Sequence, residues 1–386
     1  MSSFLPSSRS QVAPFIAMEV LSAAVERERA GHRVVHMEVG QPGASAPKPV
    51  LDAARRALEG RLGYTEALGI RPLREAIAAQ YATTYGIDIP SDRVAVTAGS
   101  SGAFTLAFLA AFDVGARIAM PTPGYPAYRN LLAALGLEAV EIECGRDTRW
   151  ALTPEMIRRA HAEKPLHGVL VASPANPTGT MYTPQALEAL VRTCDELGLW
   201  FISDEIYHGL VYDGVQSTAL ATSDRAIVIN SFSKYYCMTG WRIGWMIMPE
   251  QLVKPIDRLA QNLTLSNNEI SQRAAIAAFA PEATLELDRV KAGYAANRAY
   301  LLDHLPRLGF EDLFPVDGAF YAYASIARFS NDSLDFVKRM LNEAGVAATP
   351  GPDFDAARGN RYVRFSFAGT PADMEEAVAR LGGWLR

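Results

Sequence analysis

Between about residue 90 and residue 250 short apolar, β-branched runs alternate with helical stretches, and few architectures accept that pattern. Val94–Thr97, Arg117–Met120, Gly168–Ala172, Leu199–Ser203, Ala226–Asn230 and Ile243–Met248 read as strands. These runs are mostly continuous in apolar character, as strands buried on both faces must be. Ala103–Phe112 reads as an apolar helix after the first strand, and Thr183 before Pro184 marks another helix start. The implied fold is α/β, a mainly parallel central sheet covered by helices on both faces. Beyond residue 280 the character changes. Ala283–Leu305 reads as one long helix, followed by aromatic strand-like runs at Phe320–Tyr323 and Tyr362–Phe367. The expected division is a large domain over 40–280 and a smaller α+β domain built from 1–39 and 281–386. At 386 residues, 49% of them hydrophobic, the chain is long enough for both.

The charge balance excludes several partners. A formal net charge of -5 gives no global basic field to recruit nucleic acid or anionic lipid. Arg158 and Arg159 read as one solvated helix face. Cys144, Cys194 and Cys237 are scattered, odd in number and without metal-ligand spacing, so no metal site and no disulfide scaffold is expected. Cys237 reads as a small packed side chain, although it follows Lys234 by three residues. The first fifteen residues contain no apolar core of a signal peptide, and no apolar run is long enough to span a membrane. A soluble, cytoplasmic protein is the expectation.

In a doubly covered parallel sheet, ligands bind outside the carboxyl ends of the strands. Ala98-Gly99-Ser100-Ser101-Gly102 follows the strand ending at Thr97. Such a turn suits a phosphate through free N–H groups, hydroxyls and a helix dipole, and equally serves as an ordinary connection. Asn176, in Ser173-Pro174-Ala175-Asn176-Pro177-Thr178-Gly179, is either a turn residue or an amide donor to a ligand. Asp204, in Asp204-Glu205-Ile206-Tyr207, either caps a turn or shares a crevice with Tyr207. Lys234 closes Asn230-Ser231-Phe232-Ser233-Lys234 among Tyr235, Tyr236, Met238 and Trp241. Apolar company lowers an amine's pKa toward that of a nucleophile; the alternative is a snorkelling surface lysine.

Taken together, Asn176-Pro177-Thr178-Gly179, Asp204-Glu205-Ile206-Tyr207 and Ser231-Phe232-Ser233-Lys234 with Met238-Thr239-Gly240-Trp241-Arg242 resemble fold-type I, class I/II aminotransferases of the aspartate/aromatic type. The resemblance runs from Val39-Gly40-Gln41-Pro42 to Val363-Arg364-Phe365-Ser366-Phe367, with the motifs in family order. It implies a pyridoxal 5'-phosphate enzyme in which Lys234 carries the cofactor covalently and Asp204 keeps its pyridine nitrogen protonated. Asn176 and Tyr207 would bond the ring's phenolic oxygen, and Tyr125 would stack on the ring. Ser100, Ser101, Ser231 and Arg242 would hold the phosphate, with Ser233 a further donor. Arg364 would grip the substrate carboxylate through its planar fork, with Gly40 and Asn176 beside it. Tyr64 would reach the phosphate of a neighbouring subunit, implying a homodimer with shared active sites.

The implied reaction moves an amino group from an L-amino acid to a 2-oxo acid, with freed Lys234 as general base and ping-pong kinetics. Two rivals stand beside it. A PLP-dependent C–S β-lyase would use the same carbanion to expel a thiol. A non-catalytic regulator needs a DNA-binding module, for which there is no room before residue 40. The apolar segment Phe15, Ile16 and Ala17 lies where relatives line the side-chain pocket, favouring a neutral or aromatic amino acid over a dicarboxylate.

Overall fold

The computed structural model describes residues 4–313 and 316–386. Its centre is a seven-stranded sheet of β2 (Val94–Thr97), β3 (Arg117–Thr122), β4 (Glu138–Glu143), β5 (Gly168–Ala172), β6 (Trp200–Asp204), β7 (Ile227–Ser231) and β8 (Gly244–Ile247), in the order β2-β8-β7-β6-β5-β3-β4. The pairs β3–β4, β3–β5, β5–β6 and β6–β7 are parallel, whereas β8 lies antiparallel to both β7 and β2. Every strand but β8 therefore points the same way, and the carboxyl ends of six strands share one edge.

The side-chain alternation explains the unbroken apolar runs. Val169, Val171, Phe201 and Val228 enter one buried cluster, while Leu170, Ile202, Ile227 and Ile229 enter another on the opposite face. A strand with two dry faces has no polar position to spare. Burial of each such side chain is worth roughly 1.5–3 kcal/mol, which fixes the register of the sheet. The exception is β4, which the apolar-run criterion passes over. Its sequence, Glu138-Ala139-Val140-Glu141-Ile142-Glu143, alternates charged and apolar residues, and no residue of it is fully buried. It is an edge strand, and its glutamates discourage further pairing.

A second, antiparallel sheet has the order β11 (Thr349–Pro350), β12 (Tyr362–Ser366), β9 (Tyr321–Ser325). Beside it β1 (Val35–His36) pairs in parallel with β10 (Val346–Ala347). The N-terminal segment is thereby stitched to the C-terminal part. Val35 and Met37 share a buried cluster with Leu301, Leu305, Phe310, Phe365 and Met374. The long helix runs over Pro281–Leu308, a few residues longer at each end than its apolar pattern suggests. Among the described residues no helix is long and apolar enough to cross a membrane.

Candidate active site

A cavity of about 530 Å³ lies outside the carboxyl ends of β2, β5, β6 and β7, against β9 and β12. Its lining joins Val39, Gly40, Ser100, Ser101, Tyr125, Asn176, Asp204, Tyr207, Lys234, Arg242 and Arg364, positions separated by up to 325 residues (39 to 364). The turn after β7 delivers Lys234, whose Nζ donates to the Gly40 carbonyl at 2.6 Å. Its aromatic neighbours are Tyr207 and Phe320, each with a ring centroid 5.9 Å from Nζ. They are not the aromatics that follow it in sequence. Tyr235, Tyr236, Met238 and Trp241 pack on the cluster under the sheet instead. Burial, helped by the charge of Arg364, lowers the Lys234 amine to about 8. With that value about a tenth of the amine is free base at pH 7, far more than for an ordinary lysine.

Asp204 ends β6 with its side chain in the cavity. Oδ1 accepts from the Ile206 N–H at 3.1 Å, and Oδ2 accepts from the Tyr128 hydroxyl. Burial raises this carboxyl to about 6 despite those two donors. A buried carboxylate that lacks a full counter-charge is suited to hold a protonated nitrogen. Tyr207 follows on the same turn, its hydroxyl 2.7 Å from that of Tyr321.

At one end stands Arg364, 3% exposed on β12. Nη1 donates to Asn176 Oδ1 at 2.9 Å, Nη2 donates to the Glu38 carbonyl and to Thr349 Oγ1 at 3.1 Å. The rings of Tyr321 and Phe354 flank it at 4.3 and 4.8 Å. Among the described residues no carboxylate forms an ion pair with it, and Nε is buried without a hydrogen-bond partner. The strong partner that a buried arginine requires is therefore not supplied by the protein. Gly40 is needed here for space, since a Cβ there would lie 1.8 Å from the Tyr321 hydroxyl.

The opposite end is a cradle of donors. Ser100 and Ser101 sit in the first turn of the helix Gly99–Ala111, whose free N–H groups face outward from the sheet edge. Arg242 reaches this turn because Gly99 lacks a side chain; a Cβ there would lie 2.7 Å from Nη2. Gly99 also adopts a φ of +70°. Ser233 and Thr239 complete the wall. Ser231 stands one step behind, its hydroxyl 2.9 Å from that of Ser233 and 3.0 Å from the Ile243 carbonyl. Tyr64 is not brought to the cavity of its own chain and is 85% exposed. Tyr125 lines the cavity, and burial pushes its phenol up to about 12. The Cys237 thiol is likewise pushed up to about 12 by burial, which makes it a packed group and not a nucleophile.

Sequence reasoning passed over Tyr128, Tyr321, Thr239, Met18 and Leu21. For Tyr128 a signal was available, because it lies three residues after Tyr125 at a helix start, the same spacing that paired Asp204 with Tyr207.

Fold and site position together define the class: an α/β enzyme with the fold-type I aminotransferase architecture. The family model for aminotransferase class I and II matches residues 33–381. The chain is 53% identical to a valine–pyruvate aminotransferase of Mycobacterium tuberculosis, covering 98% of this chain and 97% of the relative. It is 33% identical to an aspartate/prephenate aminotransferase of Thermus thermophilus, over 95% of each. Among solved structures, an aminotransferase from M. tuberculosis superposes with a TM-score of 0.97 at 52% identity, covering 99% of both chains. An aspartate aminotransferase from T. thermophilus with maleate gives 0.93 at 31% identity, covering 99% of this chain and 100% of that one. The chain belongs to the class I and II aminotransferases. It is an aminotransferase, and the C–S lyase alternative is not favoured.

Proposed function

We propose that the enzyme transfers the amino group of a neutral aliphatic L-amino acid to a small 2-oxo acid, with pyridoxal 5'-phosphate held at Lys234. One observation carries the reading: among the described residues the cavity offers three cations, Lys234, Arg242 and Arg364, each with a separate task, and no fourth for a distal carboxylate. Its apolar wall includes Phe15, Ala17, Met18, Leu21, Val39 and Ile206, with the uncharged Gln41 beside them. The name of the mycobacterial relative supports the same substrate class. The alternative, a dicarboxylate donor, would draw its second cation from another subunit.

The residues fit the cofactor that the family is known to use. A phosphate matches the cradle of Ser100, Ser101, Ser233, Thr239 and Arg242; a protonated ring nitrogen matches Asp204, and a ring face matches Tyr125. Asn176, with Oδ1 occupied by Arg364, keeps its nitrogen end for a ring oxygen, as does the Tyr207 hydroxyl. When bound, the cofactor supplies an electron sink for the carbon that loses its proton.

The chain's own residues do the rest. Arg364 takes the α-carboxylate on its fork in exchange for its carbonyl partners and so orients the Cα–H bond. Lys234, with an amine near 8, removes that proton and returns it at the neighbouring carbon. Tyr207 and Tyr321 exclude water from that side. Because one product leaves before the second substrate enters, the kinetics are ping-pong.

The further reading is a homodimer with shared sites in the cytoplasm. The exposure of Tyr64, Leu58, Leu62, Leu263 and Leu265 supports the dimer, and three unpaired buried cysteines support a reducing compartment. The test of function is a half-reaction panel. Cofactor-loaded protein is mixed with single amino acids without acceptor, and the visible absorption and released acid are followed. Release of the matching 2-oxo acid, fastest for aliphatic donors, supports the reading. Release of pyruvate and ammonia from a cysteine conjugate, or preference for L-aspartate, overturns it.

A further inference from the structure

The helix Ile16–Arg29 contributes Ala17, Met18 and Leu21 to the cavity wall, with Phe15 just ahead of it. Its own sequence does not fix where it begins, because Phe15 at the cap position has no side-chain acceptor. The acceptor comes from the far end of the chain. Asp353 Oδ1 accepts the Ile16 N–H at 3.1 Å, and Oδ2 accepts the Ala17 N–H at 3.2 Å. One carboxylate thus satisfies two of the N–H groups that a helix start leaves open and lies on the helix dipole.

Asp353 is itself held rigidly, at 1% exposure. Its carbonyl accepts from Arg129 Nη2 at 2.7 Å, and the Phe354 carbonyl accepts from the Gly124 N–H at 3.0 Å. The Phe354 ring lies against the Arg364 guanidinium. Phe15 meets Tyr125 edge-on with centroids 5.8 Å apart. The anchor of the apolar wall is therefore bolted to the loop that carries Tyr125 and to the arginine that takes the α-carboxylate.

We propose that Asp353 is a specificity-determining positioning residue, which sets the distance between the apolar wall and Arg364 and hence the length of donor side chain that fits. The inference rests on the aliphatic-donor reading above. An N-cap supplied across 336 residues makes the wall part of the substrate-sized gap and not a frayed end.

The experiment is steady-state kcat and KM of the cofactor-loaded enzyme with L-alanine, L-valine and L-leucine at a fixed 2-oxo acid. In Asp353→Ala, kcat/KM for valine and leucine is expected to fall about 10-fold through KM, against less than about threefold for alanine, which depends least on the wall. Equal losses for all three donors, or unchanged ratios, overturn the proposal. Asp353→Asn, which retains one acceptor, is expected to move the valine-to-alanine ratio the same way by a smaller factor. Met18→Ala, half-exposed on the wall, gives a reading even if both Asp353 variants fail to fold; it too is expected to lower that ratio, and an unchanged ratio overturns the wall's role. A wild-type enzyme faster with L-aspartate than with L-valine sinks the substrate reading alone, since the variant ratios still report on Asp353.

Discussion

At the scale of the residue, the buried carboxyl of Asp204 gives the sharpest test. Its folded pKa of about 6 exceeds the unfolded value of 3.8 because burial disfavours the charged form. The stabilising contribution of its proton is complete below pH 3.8 and lost as pH rises through about 6. Above that range the ionised, buried group costs about 3 kcal/mol, two pKa units at 1.36 kcal/mol each. Cofactor-free Asp204→Asn is therefore expected to exceed cofactor-free wild type in stability by about that amount at pH 8 and to match it at pH 4, by urea denaturation. If pyridoxal 5'-phosphate binds as proposed, the order is expected to reverse once it is added, because only the aspartate would hold a protonated nitrogen. Arg364→Lys keeps the charge but loses the fork; kcat/KM is expected to drop about 10- to 100-fold, mostly in KM, in donor titrations. Lys234, Asp204 and Asn176 stand out in the sequence because they end or follow buried strands, but their roles, and that of Arg364 within β12, come from the resemblance. Tyr128 and Tyr321 do not stand out. An aromatic residue among aromatics looks like core, and only the fold shows that the hydroxyls meet Asp204 and Tyr207.

At the scale of the element, the N-terminal helix is tied down at both ends. Asp353 holds its start, and near its end Glu28 Oε1 lies 3.2 Å from His36 Nε2. His36 Nδ1 lies 2.7 Å from Oε1 of the buried Glu38, whose hydrogen bond raises the imidazole to about 9 against the opposing effect of burial. A raised cationic pKa contributes stability that is fully present below 6.5 and lost as pH rises through about 9. The thermal midpoint is expected to fall between pH 7 and pH 10, and His36→Gln is expected to flatten that part of the profile. Differential scanning fluorimetry across the range decides it; an unchanged slope in the variant refutes the linkage. None of this was readable in sequence, since Glu28, His36 and Glu38 acquire meaning only once β1 pairs with β10. The buried strands were readable because burial on two faces leaves no polar residue, and β4 escaped because burial on an edge does.

At the scale of the whole molecule, the site draws on segments from Gly40 to Arg364, so its parts are spread over the chain and over two sheets. If Tyr64 serves a neighbouring subunit, two defective chains can repair each other. A Lys234→Ala chain still lends Tyr64, and a Tyr64→Ala chain still lends Lys234. Refolding the two inactive chains together is expected to restore up to about one quarter of wild-type activity, half the dimers being mixed and each having one intact site. No recovery on mixing refutes shared sites. The layout at this scale was only half legible: the change in character past residue 280 led to the expectation of a smaller body that includes residues 1–39, but the parallel pairing of β1 with β10 was not foreseen.

The burial of Arg364 among neutral hydrogen-bond partners has a practical consequence for anyone handling the enzyme. Acetate and formate are carboxylates in miniature, and a guanidinium whose partners are all neutral exchanges those partners for them as it would for the head of an amino acid. Buffers made from them are expected to act as competitors: the apparent KM for the donor should rise linearly with their concentration while the maximal rate stays unchanged. Chloride, which has no second oxygen to offer the fork, does so far more weakly. The choice of salt in the tube is already a substrate experiment.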